Sequence, residues 1–174
     1  MTAQEACHYV LNAYRSYYDV DTEHPAAPFA AEAVFHSHDQ QYFLVKSATI
    51  SESESNEYVF FAVCGRLDAG TLRSLDKAAW TTGLARVQPH KNHRNTDITL
   101  VIVADSILPE LVPEIKRLRH YKSYRFGLMG WTNYRVIALD SSFSCLTFNR
   151  QGRALKKLFR SIIKQKEKEQ EKED

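Results

Sequence analysis

Apolar residues recur every three or four positions at the start of the chain, which predicts an amphipathic helix over residues 2 to 18. The same period predicts helices over residues 70 to 84 and 110 to 121, and a last helix that begins near Asn149. Residues 19 to 28 contain two prolines and are expected to form a loop. Four amphipathic helices therefore account for the three-to-four periodicity.

Extended segments rich in β-branched and aromatic residues lie between the helices. Residues 98 to 103 are apolar apart from Thr99, a pattern typical of a central strand that is covered on both faces. Short polar breaks separate the earlier segments, which favours antiparallel pairing of neighbours along the chain. The other predicted strands span residues 33 to 38, 41 to 50, 58 to 64, 124 to 128, 134 to 139 and 143 to 148.

The predicted order of elements indicates an α/β fold, with α+β as the alternative, in which helices flank a single mixed β-sheet. An αβββαβ core comes first, and further strands and a helix follow. A chain of 174 residues, 44% of them hydrophobic, fits one globular domain, which we place at residues 1 to 165. Residues 166 to 174 mix Lys with acidic residues and are predicted to form a charged, flexible tail.

Composition excludes several classes of protein. Ordinary apolar content with 6 Gly, 5 Pro and 3 Cys excludes a disordered chain, a collagen-like repeat and a disulfide scaffold. No apolar run approaches the roughly 20 residues that span a bilayer, and the N-terminus lacks the features of a secretory signal, so a cytoplasmic location is expected. Cys7, Cys64 and Cys145 lie far apart among apolar residues and are expected to be unbridged and mostly buried.

Asp39 precedes the second predicted strand, Lys46 lies on it, and Glu57 opens the third. With the αβββαβ order over residues 2 to 105, this arrangement resembles the PD-(D/E)xK nuclease-like superfamily. Members of that superfamily use an acidic residue at the second strand and a Glu-x-Lys pair on the third to bind a divalent metal and orient a water. The resemblance implies Asp39 and Glu57 as catalytic candidates. Val59 stands at the position of the motif lysine, with Lys46 as the candidate to replace it, so a catalytically degenerate module is expected.

Charge is distributed unevenly along the chain. Residues 1 to 85 hold 5 Lys and Arg against 11 Asp and Glu, a net charge of −6, whereas residues 86 to 174 hold 18 against 10, a net charge of +8. Without the tail, residues 86 to 165 carry a net charge of +10. An asymmetry of this size points to a polyanionic partner such as nucleic acid.

Two segments concentrate the cationic side chains. Residues 90 to 97 form a polar loop before the central strand, and residues 116 to 125 interleave cations with aromatic residues, which suits phosphates and stacked bases. A helix antiparallel to the central strand would return the second segment to the first, so we predict one anion-binding surface. The alternative is ordinary solvation of a loop and a helix end. The predicted anion-binding residues are His90, Lys91, His93, Arg94, Lys116, Arg119, Lys122 and Arg125.

His36 and His38 lie two residues apart, which places both side chains on one face of a strand beside Asp39. They are candidate ligands for zinc or manganese, and the alternative is two histidines at a strand end without a metal. The sequence predicts no cofactor, with a divalent metal as the alternative. Three functions stay open: a degenerate nuclease-like module that binds nucleic acid or another polyanion, a protein-interaction or homo-oligomerising module without catalysis, and a metal-dependent hydrolase that uses His36, His38, Asp39 and the His90 loop.

Overall fold

A computed structural model of the chain describes residues 1–36 and 54–173, and the strand predicted at residues 41 to 50 lies outside them. Within the described residues, two 3-10 turns span Arg125–Gly127 and Gln151–Leu155. The helices and strands within the described residues are α1 (Ala3–Tyr14), β1 (Asp19–Asp21), β2 (Ala31–His36), β3 (Glu54–Leu67), α2 (Ala69–Arg86), β4 (His93–Ile107), α3 (Leu111–Arg117), β5 (Tyr121–Ser123), β6 (Trp131–Asp140), β7 (Leu146–Phe148) and α4 (Lys156–Glu173).

All of these strands belong to one mixed sheet, which confirms the predicted α/β class. The strand order is β1-β2-β3-β4-β6-β5, and β7 pairs with the second half of β6. β3, β4 and β6 are parallel, whereas the remaining strands pair antiparallel to their neighbours. β4 lies between β3 and β6, and its Leu100 and Ile102 are fully buried, as the apolar run predicts.

Helices cover both faces of the sheet. On one face, Val59, Val101 and Ile137 of the parallel strands pack with apolar side chains of α1 and α4. Neighbouring residues such as Leu100 point to the other face and pack with α2 and α3. Because both faces are covered, the parallel strands need near-continuous apolar sequences. Among the described helices there is none with both the length and the apolar character that a bilayer crossing requires.

Several local elements differ from the sequence-based expectations. β1 occupies the start of the predicted loop, because β2 supplies it with a pairing partner. α3 is shorter than predicted, because β5 draws the residues that follow it into the sheet. The strand predicted over residues 124 to 128 is instead a tight turn, in which Arg125, Phe126 and Gly127 all have a positive φ.

The segment predicted as a charged tail continues α4 as far as Glu173. The side-chain amide of Gln165 donates a hydrogen bond to Glu169, one turn further on. Lys166 is buried, and its Nζ lies 5.1 Å from the centre of the Phe143 ring. Long Lys and Glu side chains lose little rotamer freedom in a helix, so a mixed-charge sequence is compatible with a helix as well as with a tail.

Asn149 joins three parts of the fold through its buried side chain. Its Nδ2 donates to the carbonyl oxygens of Leu118 and Tyr134, each at 3.0 Å. Its Oδ1 accepts from the backbone N–H groups of Val136 at 3.0 Å and Gly152 at 2.7 Å. The residue after α3, the middle of β6 and the turn before α4 are therefore held together by one amide.

We expect Asn149→Ala to lower the free energy of unfolding by about 2 to 4 kcal/mol, because it leaves three buried backbone groups and one half-buried one without that partner. Urea denaturation followed by circular dichroism measures this change. Arg150→Ala, at the exposed neighbouring position, is the control and should stay within about 0.5 kcal/mol of the parent. Equal stability of the two variants would contradict the structural role of Asn149.

The three cysteines are unbridged, as the sequence predicts. Burial raises the pKa of the Cys7 thiol to about 11, and burial also raises the pKa values of the half-buried Cys64 and Cys145. Because the thiolate is the reactive form, we expect slow reaction with Ellman's reagent in the folded protein at about pH 8, slowest at Cys7. In denaturant all three thiols should react fast. Three fast-reacting thiols in the native protein would contradict this placement.

Candidate functional site

β4 begins with a bulge that fixes the position of His93. The pairing with β3 shifts after Glu54, so that Arg94 has no partner residue on that strand and is exposed. His93 is buried, with Nδ1 2.8 Å from the carbonyl oxygen of Met129 and Nε2 2.9 Å from the hydroxyl of Thr96. Both ring nitrogens are therefore engaged by protein atoms. His93 links β4 to Met129 and has no nitrogen free to bind an anion.

A tight turn from Tyr124 to Gly130 packs against this end of β4. The Tyr124 N–H donates to the carbonyl oxygen of Gly130 at 3.0 Å, which closes the turn. The Tyr124 ring meets the His93 ring edge to face at 5.9 Å, and its hydroxyl lies 2.9 Å from the hydroxyl of Thr132. Gly130 has φ +80°, and a Cβ there would lie 2.4 Å from the carbonyl oxygen of Arg94. Only glycine allows this approach of turn and strand.

Four cationic residues lie on the two segments that meet at the junction of this turn with β4. Lys91, Arg94, Lys122 and Arg125 are all exposed, and the Lys122 Nζ lies 5.5 Å from the centre of the Tyr124 ring. The ion pairs found in the described ranges involve other cations, and none joins these four to a carboxylate. We call Lys91, Arg94, Lys122 and Arg125 the basic edge.

Three other predicted anion-binding residues are not part of the basic edge. His90 Nε2 lies 2.8 Å from Glu54 Oε2, and His90 and Arg86 help to line a polar cleft of about 320 Å³ on the β3 side. Lys116 is exposed on α3, which contacts β7 and β6. Arg119 is exposed in the connection between α3 and β5. With His93 engaged internally, four of the eight predicted residues remain as exposed cations on the two segments that meet at the junction.

A second charge cluster lies on the face of the sheet that α1 and α4 cover, at the point where their apolar layer ends. Arg135 on β6 donates to Asp97 on β4 at 2.6 Å and to Glu57 on β3 at 3.3 Å. The exposed fractions of the side chains are 19% for Arg135, 12% for Asp97 and 10% for Glu57. Two neighbouring carboxylates thus share one guanidinium, and the three parallel strands are tied together by it.

Neutral donors complete this cluster. The hydroxyls of Tyr18 and Thr99 donate to the two oxygens of Glu57 at 2.8 and 2.9 Å. The amide of Asn133 donates to Asp97 Oδ1 at 3.0 Å. Burial, and after it the negative charge of Glu57, raises the pKa of Tyr18, so this hydroxyl stays protonated as a donor. Every oxygen of the two carboxylates therefore has a hydrogen-bond donor.

Glu57 is the catalytic candidate whose side chain the structure describes. Its carboxylate binds Arg135, and Val59, at the position of the motif lysine, is fully buried in the apolar layer. Nowhere in residues 1–36 and 54–173 does the structure group three His, Cys, Asp or Glu side chains as a metal site requires. The other candidates, Asp39, Lys46, His36 and His38, lie outside the residues whose side chains are described.

Comparison with protein families gives a match over nearly the whole chain: a domain of unknown function, DUF8052, matches residues 2–161. The chain belongs to the DUF8052 family. No curated protein matches the chain, and no solved structure does. The matched range contains the basic edge and the Glu57–Arg135–Asp97 cluster, so both are parts of the DUF8052 domain itself.

The charge cluster of this DUF8052 domain is harder to predict from the sequence than the basic edge. The sequence analysis does not identify Arg135 as a site residue. The available signal is that Arg135 interrupts an apolar strand, because a charge inside a buried strand needs a partner. Asp97 enters the prediction as the end of a polar loop, because its neighbour Glu57 is brought beside it only by the strand register. Phe126 is predicted to lie in a strand, whereas the turn exposes it.

We expect Arg135→Met to lower the free energy of unfolding by about 3 to 5 kcal/mol, because two adjacent carboxylates then stay buried without a counter-charge. Adding Glu57→Gln and Asp97→Asn should recover most of this loss, since the uncompensated charges are gone. Urea denaturation at about pH 7 measures both variants. A change within about 0.5 kcal/mol for Arg135→Met would show that the DUF8052 fold does not depend on the cluster.

Proposed function

We propose that the domain is a nucleic-acid-binding module that holds phosphate groups with the basic edge. The observation that carries this proposal is the packing of the Tyr124–Gly130 turn on the start of β4. That contact brings the segment that carries Lys91 and Arg94 next to the segment that carries Lys122 and Arg125. Because backbone hydrogen bonds fix the turn, the surface is organised before a ligand arrives, which lowers the entropic cost of binding.

The state of the cations supports phosphate binding. The four side chains of the basic edge are exposed, and in the part of the chain that the structure describes no ion pair with a carboxylate competes for them. An Arg fork matches two phosphate oxygens at once, and Lys adds a mobile point charge. The net charge of +10 over residues 86 to 165 would also steer a polyanion toward this half of the domain.

In this proposal the Glu57–Arg135–Asp97 cluster has a structural role. Both carboxylates are bound by the guanidinium and by neutral donors, so the cluster joins the beginnings of β3, β4 and β6. The module would then be related to nucleases in the order of its elements and in its ligand, without catalysis by these carboxylates.

We expect the combined variant Lys91→Ala, Arg94→Ala, Lys122→Ala and Arg125→Ala to bind a short labelled nucleic acid roughly 10- to 100-fold more weakly near physiological salt. The slope of log K against log salt should flatten by up to about 3, because each phosphate contact to a single strand contributes about 0.7. Fluorescence anisotropy over a series of salt concentrations measures both quantities.

A matched control removes the same charge from α4 and the turn before it. Arg153→Ala, Lys157→Ala, Arg160→Ala and Lys164→Ala replace four exposed cations and leave the basic edge intact. This variant should keep most of the salt slope of the parent. Equal losses in both variants would assign binding to the overall charge. If the parent binds neither nucleic acid nor heparin at low salt, the proposal is wrong, and a protein-interaction or homo-oligomerising module takes its place.

A further inference from the structure

Phe126 stands fully in solvent at the tip of the Tyr124–Gly130 turn. Its exposed fraction is 105%, the highest among the exposed large apolar side chains of the described residues. Its φ is 55°, and that of Arg125 is 46°, both in the left-handed region that favours glycine. A bulky residue there is strained, and full exposure gives it no packing in return. The domain itself therefore gains nothing from this ring, which points to a contact with another molecule.

The surroundings of Phe126 limit what that molecule is. Arg125 precedes it, and Lys122 and Arg94 lie at the base of the same turn. A ligand for this surface must offer a flat apolar face together with negative charges. A single-stranded nucleic acid has both, because its bases are free to stack and its phosphates follow the backbone. In a duplex the flat faces of the bases are already covered by their neighbours.

Resting on the nucleic-acid function proposed above, we infer that Phe126 is a base-stacking platform and that the ligand is a single-stranded nucleic acid. The turn presents the ring rigidly. The Gly127 N–H donates to the carbonyl oxygen of Tyr124 at 3.0 Å, and the Leu128 N–H donates to that of Arg125 at 3.1 Å. The backbone that carries the ring is thus held in place relative to the neighbouring cationic segments.

An anionic lipid surface would also accept an apolar side chain between cations, and Leu128 separates the two ligands. Leu128 lies in the same turn and is 79% exposed. Insertion into a bilayer depends on apolar area, to which Phe and Leu both contribute. Stacking needs a π face, which Leu lacks. Leu128→Ala is therefore the matched control for Phe126→Ala.

The experiment compares the parent, Phe126→Ala, Leu128→Ala and Phe126→Trp by fluorescence anisotropy on a labelled single-stranded oligonucleotide, its duplex and heparin. The parent should prefer the single strand to the duplex. Phe126→Ala should bind the single strand roughly 5- to 150-fold more weakly with an unchanged salt slope, and heparin as the parent does. Leu128→Ala should stay within about twofold of the parent. Phe126→Trp should keep the affinity, and its added indole fluorescence should be quenched by the oligonucleotide and not by heparin.

The two proposals fail in different ways. If Phe126→Ala binds the single strand as the parent does, or loses affinity for heparin to the same extent, stacking is wrong. The proposed role of the basic edge in phosphate binding is then retained if its four-residue variant loses affinity for both the single strand and heparin. If the parent sediments with phosphatidylserine vesicles, depends equally on Phe126 and Leu128 and ignores the oligonucleotide, the ligand is a lipid surface and the inference is overturned. If the parent binds none of these ligands, both proposals fail.

Discussion

The shared contact of Arg135 with Glu57 and Asp97 is the interaction on which one end of the sheet depends, the end where the parallel strands β3, β4 and β6 begin. Parallel strands have no tight turn to set their register, because a crossover connection joins them. Deeper in the sheet, apolar side chains such as Val59 specify which face each strand turns inward. Toward the strand beginnings this apolar layer gives way to polar residues, and the two bonds of one guanidinium define the alignment instead. If β6 shifted by one residue along β4, both hydrogen bonds would break, and Arg135 would point to the opposite face of the sheet.

The arrangement of the outer surface follows from this alignment. With β4 and β6 in register, the bulge at Arg94 faces the turn that leads into β6, and Gly130 can approach the strand closely. The His93 ring is then within hydrogen-bonding distance of the carbonyl oxygen of Met129 in this turn. The cations of the basic edge therefore stand on a framework of buried hydrogen bonds, although each of them is exposed. A surface that binds a phosphate chain requires a fixed backbone that carries exposed charged side chains.

Local signals in the sequence account for much of the fold. The apolar run around Thr99 identifies the central strand, and helical periodicity identifies the four helices of the described residues. Elements that depend on distant partners are not readable in this way. β1 exists because β2 pairs with it, and residues 124 to 128 have strand-like composition but form a turn because glycine permits close contact with β4.

The same division holds for the candidate site. The clusters of cations can be read directly from the sequence, whereas the pairing of His90 with Glu54 and of His93 with Met129 cannot, since these partners are distant along the chain. Arg135 is the clearest case. One charged residue within an apolar strand signals a buried partner, but the sequence does not say that two carboxylates from two strands share it.

The edges of the sheet have a consequence for contacts between copies of the domain. In the described part of the chain, β1 forms one edge with three residues, two of them aspartates, and the other edge is divided between β5 and β7, with three residues each. Edges this short, with charged side chains on β1 and β5, present few free backbone groups to a neighbouring strand. Growth of the sheet from one molecule into the next is therefore disfavoured at β1 and at β5. If two copies of the domain associate, these short strands can supply little of the contact within the described part of the chain.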